Sequence, residues 1–306
     1  MLEARGIVKV YPGGVEALKG VDLTAGRGVT VVMGPNGSGK TTLLSIITGA
    51  LRPTRGTVEV CGVDVWGPNW IEARRLIGFA PQDVPFREKL SLYDNLVWYG
   101  MVKGLGWMEA RSEAKRLAGE LGLWEHLRKP MAALSGGLRR RASIAAALTG
   151  SPRVIVMDEP ASGLDPGARR SLWELIRGLA RDRVIVVSTH ITEGLEDYAD
   201  MVYIMHEGRV AARGRPRELI AEYAPLSRIT VYGRVKKVEV EDAEVYTEGD
   251  DKLVAITKNP EETLPILVGA LASAGGVIER VEVSRPGLAE VYYRVTGVSL
   301  EEVADR

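Results

Sequence analysis

One cysteine, three histidines and a single glutamine are all that the 306 residues hold of these types. Cys61 alone excludes an internal disulfide and a cysteine-built zinc site, and three scattered histidines offer no ligand spacing, so structural metal is not expected. Charge of one sign is missing too: 40 Lys and Arg against 40 Asp and Glu leave a formal net charge of zero. The chain as a whole lacks the basic footprint of a nucleic-acid binder, and no nucleic acid is expected as a partner, although a local basic patch stays open. No stretch approaches the ~18 uninterrupted apolar residues of a membrane span, and Met1–Tyr11 lack the apolar core of a signal peptide. These gaps predict an intracellular protein, with any membrane role coming through a partner.

What is present is a soluble, globular composition. Hydrophobic residues are 45%, charged residues 26%, and 35 Gly with 15 Pro exclude collagen-like and wholly disordered chains. At roughly 150 residues per domain the length favours two domains, or one large domain with an appendage. Residues 1–30 alternate in short runs around Pro12, Gly13 and Gly14, the pattern of antiparallel hairpins. Val29–Met33 is a continuous apolar strand pattern running into a glycine loop and then Leu43, Leu44, Ile46 and Ile47 at helical spacing. About 83–150 reads as mostly helical, with Ala110, Ala114, Leu117, Ala118 and Leu121 on one face. Val154–Met157 and Val184–Val187 are short, wholly apolar strands of the parallel-sheet kind, separated by a helix carrying Leu172, Leu175, Ile176 and Leu179. The order β, α, β predicts a doubly wound α/β core.

Near 223–227 the chain passes Tyr-Ala-Pro-Leu-Ser and returns to alternating strands over Ile229–Tyr232, Val235–Val240 and Leu253–Thr257. Asn259 then reads as an N-cap with Pro260 at the first helical position and Glu261 and Glu262 in the first turn. A strand over Val277–Val283 and a short helix complete a small α+β appendage. The expected division is 1–223 for the α/β domain, with its helical part at about 83–150, and 227–306 for the appendage.

Three segments carry chemistry. Gly34-Pro35-Asn36-Gly37-Ser38-Gly39-Lys40-Thr41 fits G-x-x-x-x-G-K-[ST] in the strand-to-helix setting that gives the pattern its meaning. Loop amides and a helix N-terminus make a concave positive site for phosphates, Lys40 adds a mobile charge, and the Thr41 hydroxyl suits Mg²⁺. Val154-Ile-Val-Met-Asp158-Glu159 puts two acids at the end of a buried strand, the edge where open α/β sheets bind ligands. Asp158 suits a metal's water shell, and Glu159 the orientation or deprotonation of an attacking water, a step contributing ~10²–10⁴ in rate. Leu134-Ser135-Gly136-Gly137 opens a helix beginning Leu138-Arg139-Arg140-Arg141, so the chain has a second anion-attracting helix start. With Lys40 already serving a triphosphate, that second start is superfluous unless it faces a nucleotide on another subunit; the plain alternative is a Ser-Gly-Gly helix start with a solvated Arg run.

In this order and approximate spacing, the phosphate loop, LSGGL, VIVMDEP, SGLD and STH resemble the nucleotide-binding subunit of an ATP-binding-cassette (ABC) transporter over about residues 1–220. The resemblance implies a P-loop NTPase core of mostly parallel sheet, with an antiparallel β subdomain and a helical subdomain. It implies ATP and Mg²⁺ as cofactors, with Tyr11 stacking on adenine and Gly34 through Thr42 on phosphates and Mg²⁺. By the same resemblance Gln82 joins the metal and senses the membrane partner, Glu159 acts on the lytic water, and His190 meets the γ-phosphate. Ser135, Gly136 and Gly137 would face the γ-phosphate of the nucleotide on the opposite subunit, and Asp165 would carry cross-talk between the two sites. Two chains, identical or homologous, would thus enclose two ATP molecules and drive a transmembrane permease on a separate chain, at the cytoplasmic face of the cell membrane.

Gln82 carries its own argument, because the one glutamine of the chain follows Ile77-Gly-Phe-Ala-Pro, where the family places its metal-sensing amide. Leu138 departs from the family's usual glutamine and cannot hydrogen-bond; altered fine contacts with retained hydrolysis are expected. Lys89–Leu96, Thr189–Glu196 and Arg285–Gly297 resemble the exporter branch with a separate permease polypeptide, whose small C-terminal extension suggests dimer support or regulation. The alternative function is a soluble ABC-type ATPase acting on the ribosome or DNA. Of the remaining residues, Cys61 is expected in the core, His126 and His206 in solvent, and Trp98, Tyr99 and Trp107 packed in the helical part or lining a groove for a permease helix.

Overall fold

The structure, a computed structural model, describes residues 1–83 and 85–300. It opens with β1 (Leu2–Val10) and β2 (Glu16–Ala25), an antiparallel pair. The chain then crosses to β3 (Gly28–Met33) and enters α1 (Lys40–Ile47). It returns through β4 (Arg55–Val60) and β5 (Val63–Asp64) to complete a sheet ordered β2-β1-β4-β5. After α2 (Trp70–Arg75) comes β6 (Ile77–Ala80), and then the helical stretch α3 (Leu92–Val102), α4 (Trp107–Glu120) and α5 (Gly136–Leu148). The core closes with β7 (Val154–Asp158), α6 (Pro166–Leu179), β8 (Val184–Thr189), α7 (Leu195–Tyr198), β9 (Met201–His206) and β10 (Arg209–Gly214).

Six of these strands form a second sheet, ordered β10-β9-β3-β8-β7-β6, in which every pairing is parallel except that of β10. β3, β7 and β8 therefore deliver their C-terminal ends to one edge, which in an open α/β sheet is the ligand-binding edge. The apolar runs at Val29–Met33, Val154–Met157 and Val184–Val187 are buried throughout, which is why they show no polar alternation. Helix α1 packs its Leu43 and Ile46 into one core with Val32, Val156 and Val186 of this sheet and Leu2 and Leu23 of the other. Tyr203 bridges the two sheets, its hydroxyl accepting from Thr24 N at 3.0 Å and donating to Thr24 O at 3.1 Å.

In the helical stretch, Ala110, Ala114, Leu117, Ala118 and Leu121 are all buried, as the spacing predicts. Asn95, 1% exposed, holds the preceding loop: its carbonyl accepts from Arg87 N at 2.9 Å and its amide donates to Arg87 O and Ser91 O. Among the described residues the chain separates into two compact units, 1–216 with 298–300, and Arg217–Gly297. Helix α8 (Pro216–Tyr223) lies at the boundary in sequence. The second unit holds β11 (Ser227–Arg234), β12 (Ala243–Thr247), β13 (Lys252–Thr257), α9 (Pro260–Ser273), β14 (Val277–Ser284) and α10 (Leu288–Thr296). Its antiparallel sheet, ordered β12-β13-β11-β14, packs Ile229, Val231 and Leu253 against Leu267 and Leu271 of α9.

Three expectations are corrected. Val235–Val240 is not a strand: β11 ends at Arg234, and Val235, Val238 and Val240 are buried from irregular backbone. A strand would have put Val235 on one face and Val238 and Val240 on the other, and only an irregular path brings all three to one core. Cys61 is exposed, because Cys61 (φ 52°) and Gly62 (φ 82°) form a two-residue hairpin turn between Val60 and Val63. His126 and His206 are half-buried rather than in solvent.

Gly78 of β6 marks the closest approach of the sheet to α5, where an added Cβ would stand 2.1 Å from the Ala147 carbonyl oxygen. Gly78→Ala should cost about 1–3 kcal/mol by overpacking, read as a lowered urea midpoint at unchanged slope. An unchanged midpoint would show that the contact relaxes freely.

Candidate functional site

The loop after β3 is shaped by glycine. A Cβ on Gly34 would sit 2.4 Å from Met205 O, and one on Gly39 (φ +100°) 2.7 Å from Ala17 O, whereas Gly37 (φ +78°) would meet nothing within 4 Å. Two glycines let the loop lie down against the protein, and the third bares backbone to the outside. Gly39 is the N-cap of α1 and supplies no capping side chain, so the first amides of α1 keep their unused donors. Contrast α5 and α6: Ser135 accepts from Leu138 N at 3.4 Å and Asp165 from Ala168 N at 3.0 Å.

Lys40 is 5% exposed, and its Nζ donates to Gly34 O at 2.7 Å and Pro35 O at 2.9 Å. Burial holds the ammonium below the usual lysine value, opposed by the charge of Glu159. That carboxylate stands 3.4 Å away through Oε1, and its Oε2 lies 3.0 Å from His190 Nδ1. Glu159 itself is 5% exposed with φ 47°, left-handed backbone that a glutamate rarely adopts. Asp158 precedes it as the buried last residue of β7. Ser188 of β8, in register with Asp158, holds both acids: its hydroxyl donates to Asp158 Oδ1 and accepts from Glu159 N at 2.9 Å.

A cleft of about 230 Å³ collects Asn36, Gly37, Gly39, Lys40, Thr41, Thr42, Gln82, Glu159 and His190. Tyr11, 36% exposed, lies at Thr42, with the two hydroxyls 3.3 Å apart and Lys9 Nζ 5.4 Å from its ring centre. Gly34, Pro35, Ser38 and Asp158 are buried and do not line the cleft. Ser135, Gly136, Gly137 and Asp165 do not line this cleft. Gly136 instead faces a second cavity of about 230 Å³ with Gln82, Asp83, Arg139, Arg140, Ser162 and Gly163. Two features fit a phosphate and a hard cation: Ser38 Oγ is buried with no hydrogen-bond partner, and the bare amides of α1 adjoin the oxygen donors Thr41 and Gln82.

Sequence reasoning missed Ser188 and Arg140. Ser188 left a trace, as a hydroxyl closing an apolar strand, legible only once its register with Asp158 is known. The Arg run is not a solvated face. Arg139 pairs with Glu88, Arg140 donates to Gln82 O at 2.7 Å, and Arg141 reaches Leu121 O at 3.2 Å and Ser171 Oγ at 2.8 Å. Arg140 thus ties the helix of Ser135–Gly137 to the backbone of Gln82. A groove of about 600 Å³ runs nearby, lined by Trp70, Ile71, Phe79, Tyr99, Val102 and Lys103 among others. Of the three aromatics considered for such a groove, Tyr99 lines it and Trp98 and Trp107 do not.

Ser188→Ala should remove the partner of a buried carboxylate and of the Glu159 amide, costing about 1–3 kcal/mol, read as a lowered urea midpoint; unchanged stability would contradict the role given to Ser188. Arg140→Ala should raise amide hydrogen exchange around Gln82 while Glu88→Ala, which frees only Arg139, should not; equal exchange in both would contradict the tie.

Residues 18–162 match the ABC transporter family. A daunorubicin-resistance ATP-binding protein, DrrA3 of Streptomyces coeruleorubidus, is 36% identical over 296 residues, 93% of this chain and 92% of that protein. The Nod factor export ATP-binding protein I of Ralstonia nicotianae is 36% identical over 238 residues, 76% of this chain and 73% of that one. The retinal-specific phospholipid-transporting ATPase ABCA4 of Mus musculus is 34% identical over 237 residues, and there the match covers 77% of this chain but 10% of that protein. Among solved structures, cbiO1 from Clostridium perfringens, part of an ABC transporter complex, superposes with TM-score 0.66 at 30% identity over 72% of this chain and 90% of that one. A dimeric cassette in a post-hydrolysis state bound to ADP and Pi gives TM-score 0.64 at 26% identity over 70% and 98%. With these relatives beside the glycine cradle and the Lys40–Glu159–His190 cluster, the chain belongs to the ABC transporter family as an ATP-binding, ATP-hydrolysing subunit.

Proposed function

We propose that this ATPase powers an exporter whose membrane-spanning permease is a separate polypeptide, and that it works as a pair of cassettes closing on two Mg-ATP. The observation that carries the pairing is that Ser135, Gly136 and Gly137 stay outside the cleft of the phosphate cradle, Gly136 bordering a neighbouring cavity that shares Gln82 and Ser162 with it. A second copy, or a homologous subunit, then supplies the helix start that each cradle lacks. Full-length similarity to a drug-resistance ATP-binding protein supports the exporter reading. No helix among the described residues is long and apolar enough to cross a membrane, and the groove beside Tyr99 is the surface we assign to the permease. In this reading the permease holds the chain at the cytoplasmic face of the membrane.

In this reading Lys40 and the amides of α1 hold the β- and γ-phosphates, and Tyr11 borders the adenine end. Thr41, Gln82 and Asp158 would hold Mg²⁺, which supplies charge neutralisation at the phosphates. Glu159, buried against Lys40 and His190, orients the attacking water and takes up its proton. His190 Nδ1 faces Glu159, leaving Nε2 for a phosphate oxygen. Leu138 donates its backbone N–H to Ser135 Oγ, a bond that needs no side-chain amide, and in this reading hydrolysis is retained with the leucine in place.

Glu159→Gln should abolish turnover by ~10²-fold or more and accumulate an ATP-loaded dimer in light scattering; a variant that stays monomeric at saturating Mg-ATP would contradict the shared site. Lys40→Ala should weaken nucleotide binding, and unchanged affinity by calorimetry would contradict its phosphate role.

A further inference from the structure

Five of the six tryptophans fall between residues 66 and 124. Arginines stack on four of them: Arg74 on Trp66 (5.3 Å) and Trp70 (4.6 Å), Arg87 on Trp98 (4.8 Å) and Arg111 on Trp107 (4.4 Å). Neither the nucleotide cleft nor the groove uses Trp107. It begins α4, beside the turn from α3, and at that corner Met101, Val102, Trp107 and Met108 are 50%, 64%, 57% and 76% exposed. Glu109 Oε2 accepts from Gly106 N at 3.0 Å, which fixes the first turn of α4 and holds Trp107 and Met108 outward. Four large apolar side chains kept in the open at one corner mark a contact surface.

The charges around the corner select the partner. Arg111 and Lys115 follow Trp107 at successive i+4 steps, and both are exposed. Of the three acids on the same helix, Glu109 is engaged with Gly106, and Glu113 and Glu120 both pair with Arg116. The result is an apolar tip with a cationic flank. Met101, Trp107 and Met108 line neither the nucleotide cleft, the second cavity nor the groove, so the tip itself is an exposed surface, while Arg111 and Lys115 border a further cavity with Tyr93 and Trp124. An apolar tip bearing tryptophan and flanked by Arg and Lys suits the headgroup layer of an anionic bilayer. The corner also adjoins the groove, since Val102 and Lys103 line its edge.

We propose that the α3–α4 corner contacts an anionic lipid bilayer directly, seating Trp107 and Met108 in the headgroup layer with Arg111 and Lys115 against lipid phosphates. This contact goes beyond the permease reading, needs no permease, and is tested without one, so the two fail separately.

The test is flotation of the full-length protein with vesicles of phosphatidylcholine alone or mixed with phosphatidylglycerol. The protein should float with the mixed vesicles and not with phosphatidylcholine, and salt should release it. Trp107→Ser with Met108→Ser should weaken binding ~10-fold or more, and Arg111→Gln with Lys115→Gln should remove the preference for the anionic lipid. Ile266→Ser, which removes an exposed apolar side chain of the second unit, should float as the parent does. Unchanged thermal melting and ATP turnover in the corner variants would tie the loss to the surface. Absence of flotation, equal flotation with both vesicles, or parent-like flotation of the Trp107/Met108 variant would each overturn the proposal. So would corner variants that float normally yet lose a co-purifying membrane protein, an outcome that makes the corner a protein contact.

Discussion

The ion pair between Lys40 and Glu159 is the point on which the site turns. Both side chains are nearly sealed from water, at 5% and 7% exposure. A buried pair of this kind is weak evidence for stability, because the cost of removing two charges from water offsets their attraction. The structure nevertheless fixes it from several sides. Two loop carbonyls hold the ammonium, His190 holds the other carboxylate oxygen, and Ser188 anchors the left-handed turn at Glu159. Strained backbone, costing of order 1–3 kcal/mol, persists where its surroundings over-determine it. Chemistry accounts for this expenditure of structure where stability does not.

The sheet makes that meeting possible. With β3, β7 and β8 parallel and adjacent, the phosphate loop, the acid pair and His190 emerge at one edge from three distant parts of the sequence. Ser135, Gly136 and Gly137 start α5 and do not line the nucleotide cleft. Arg140 connects the two parts within a chain through the Gln82 carbonyl. In a paired assembly such a tie would link the half-site a cassette keeps with the half-site it lends.

Much of this was legible in the sequence, and the reasons are physical. Apolar strands and the phosphate loop are read from local runs, since buried parallel strands carry no alternation and glycine loops no bulk. The helical face of α4 was legible from its spacing. Cys61 was not, because the valines around it belong to β4 and β5 while it occupies the turn. Val235, Val238 and Val240 supply hydrophobicity without a single strand parity, so composition suggested regular structure where the backbone is irregular. Arg140 and Ser188 act through partners far away in the chain, and no local pattern announces such partners. Leu138 was visible as a departure, and in the structure its backbone N–H donates to Ser135 Oγ.

The central claim is that the cradle of one chain meets the Ser135–Gly137 helix start of another across a shared nucleotide. Replacing Cys61, the sole cysteine, with serine leaves a clean background for Asn36→Cys and Ser135→Cys, both at exposed positions. In the Glu159→Gln chain, oxidation with Mg-ATP should join the two new cysteines between chains, and oxidation without nucleotide should not. Failure to form that link with ATP bound, or equal linking without it, would contradict the account.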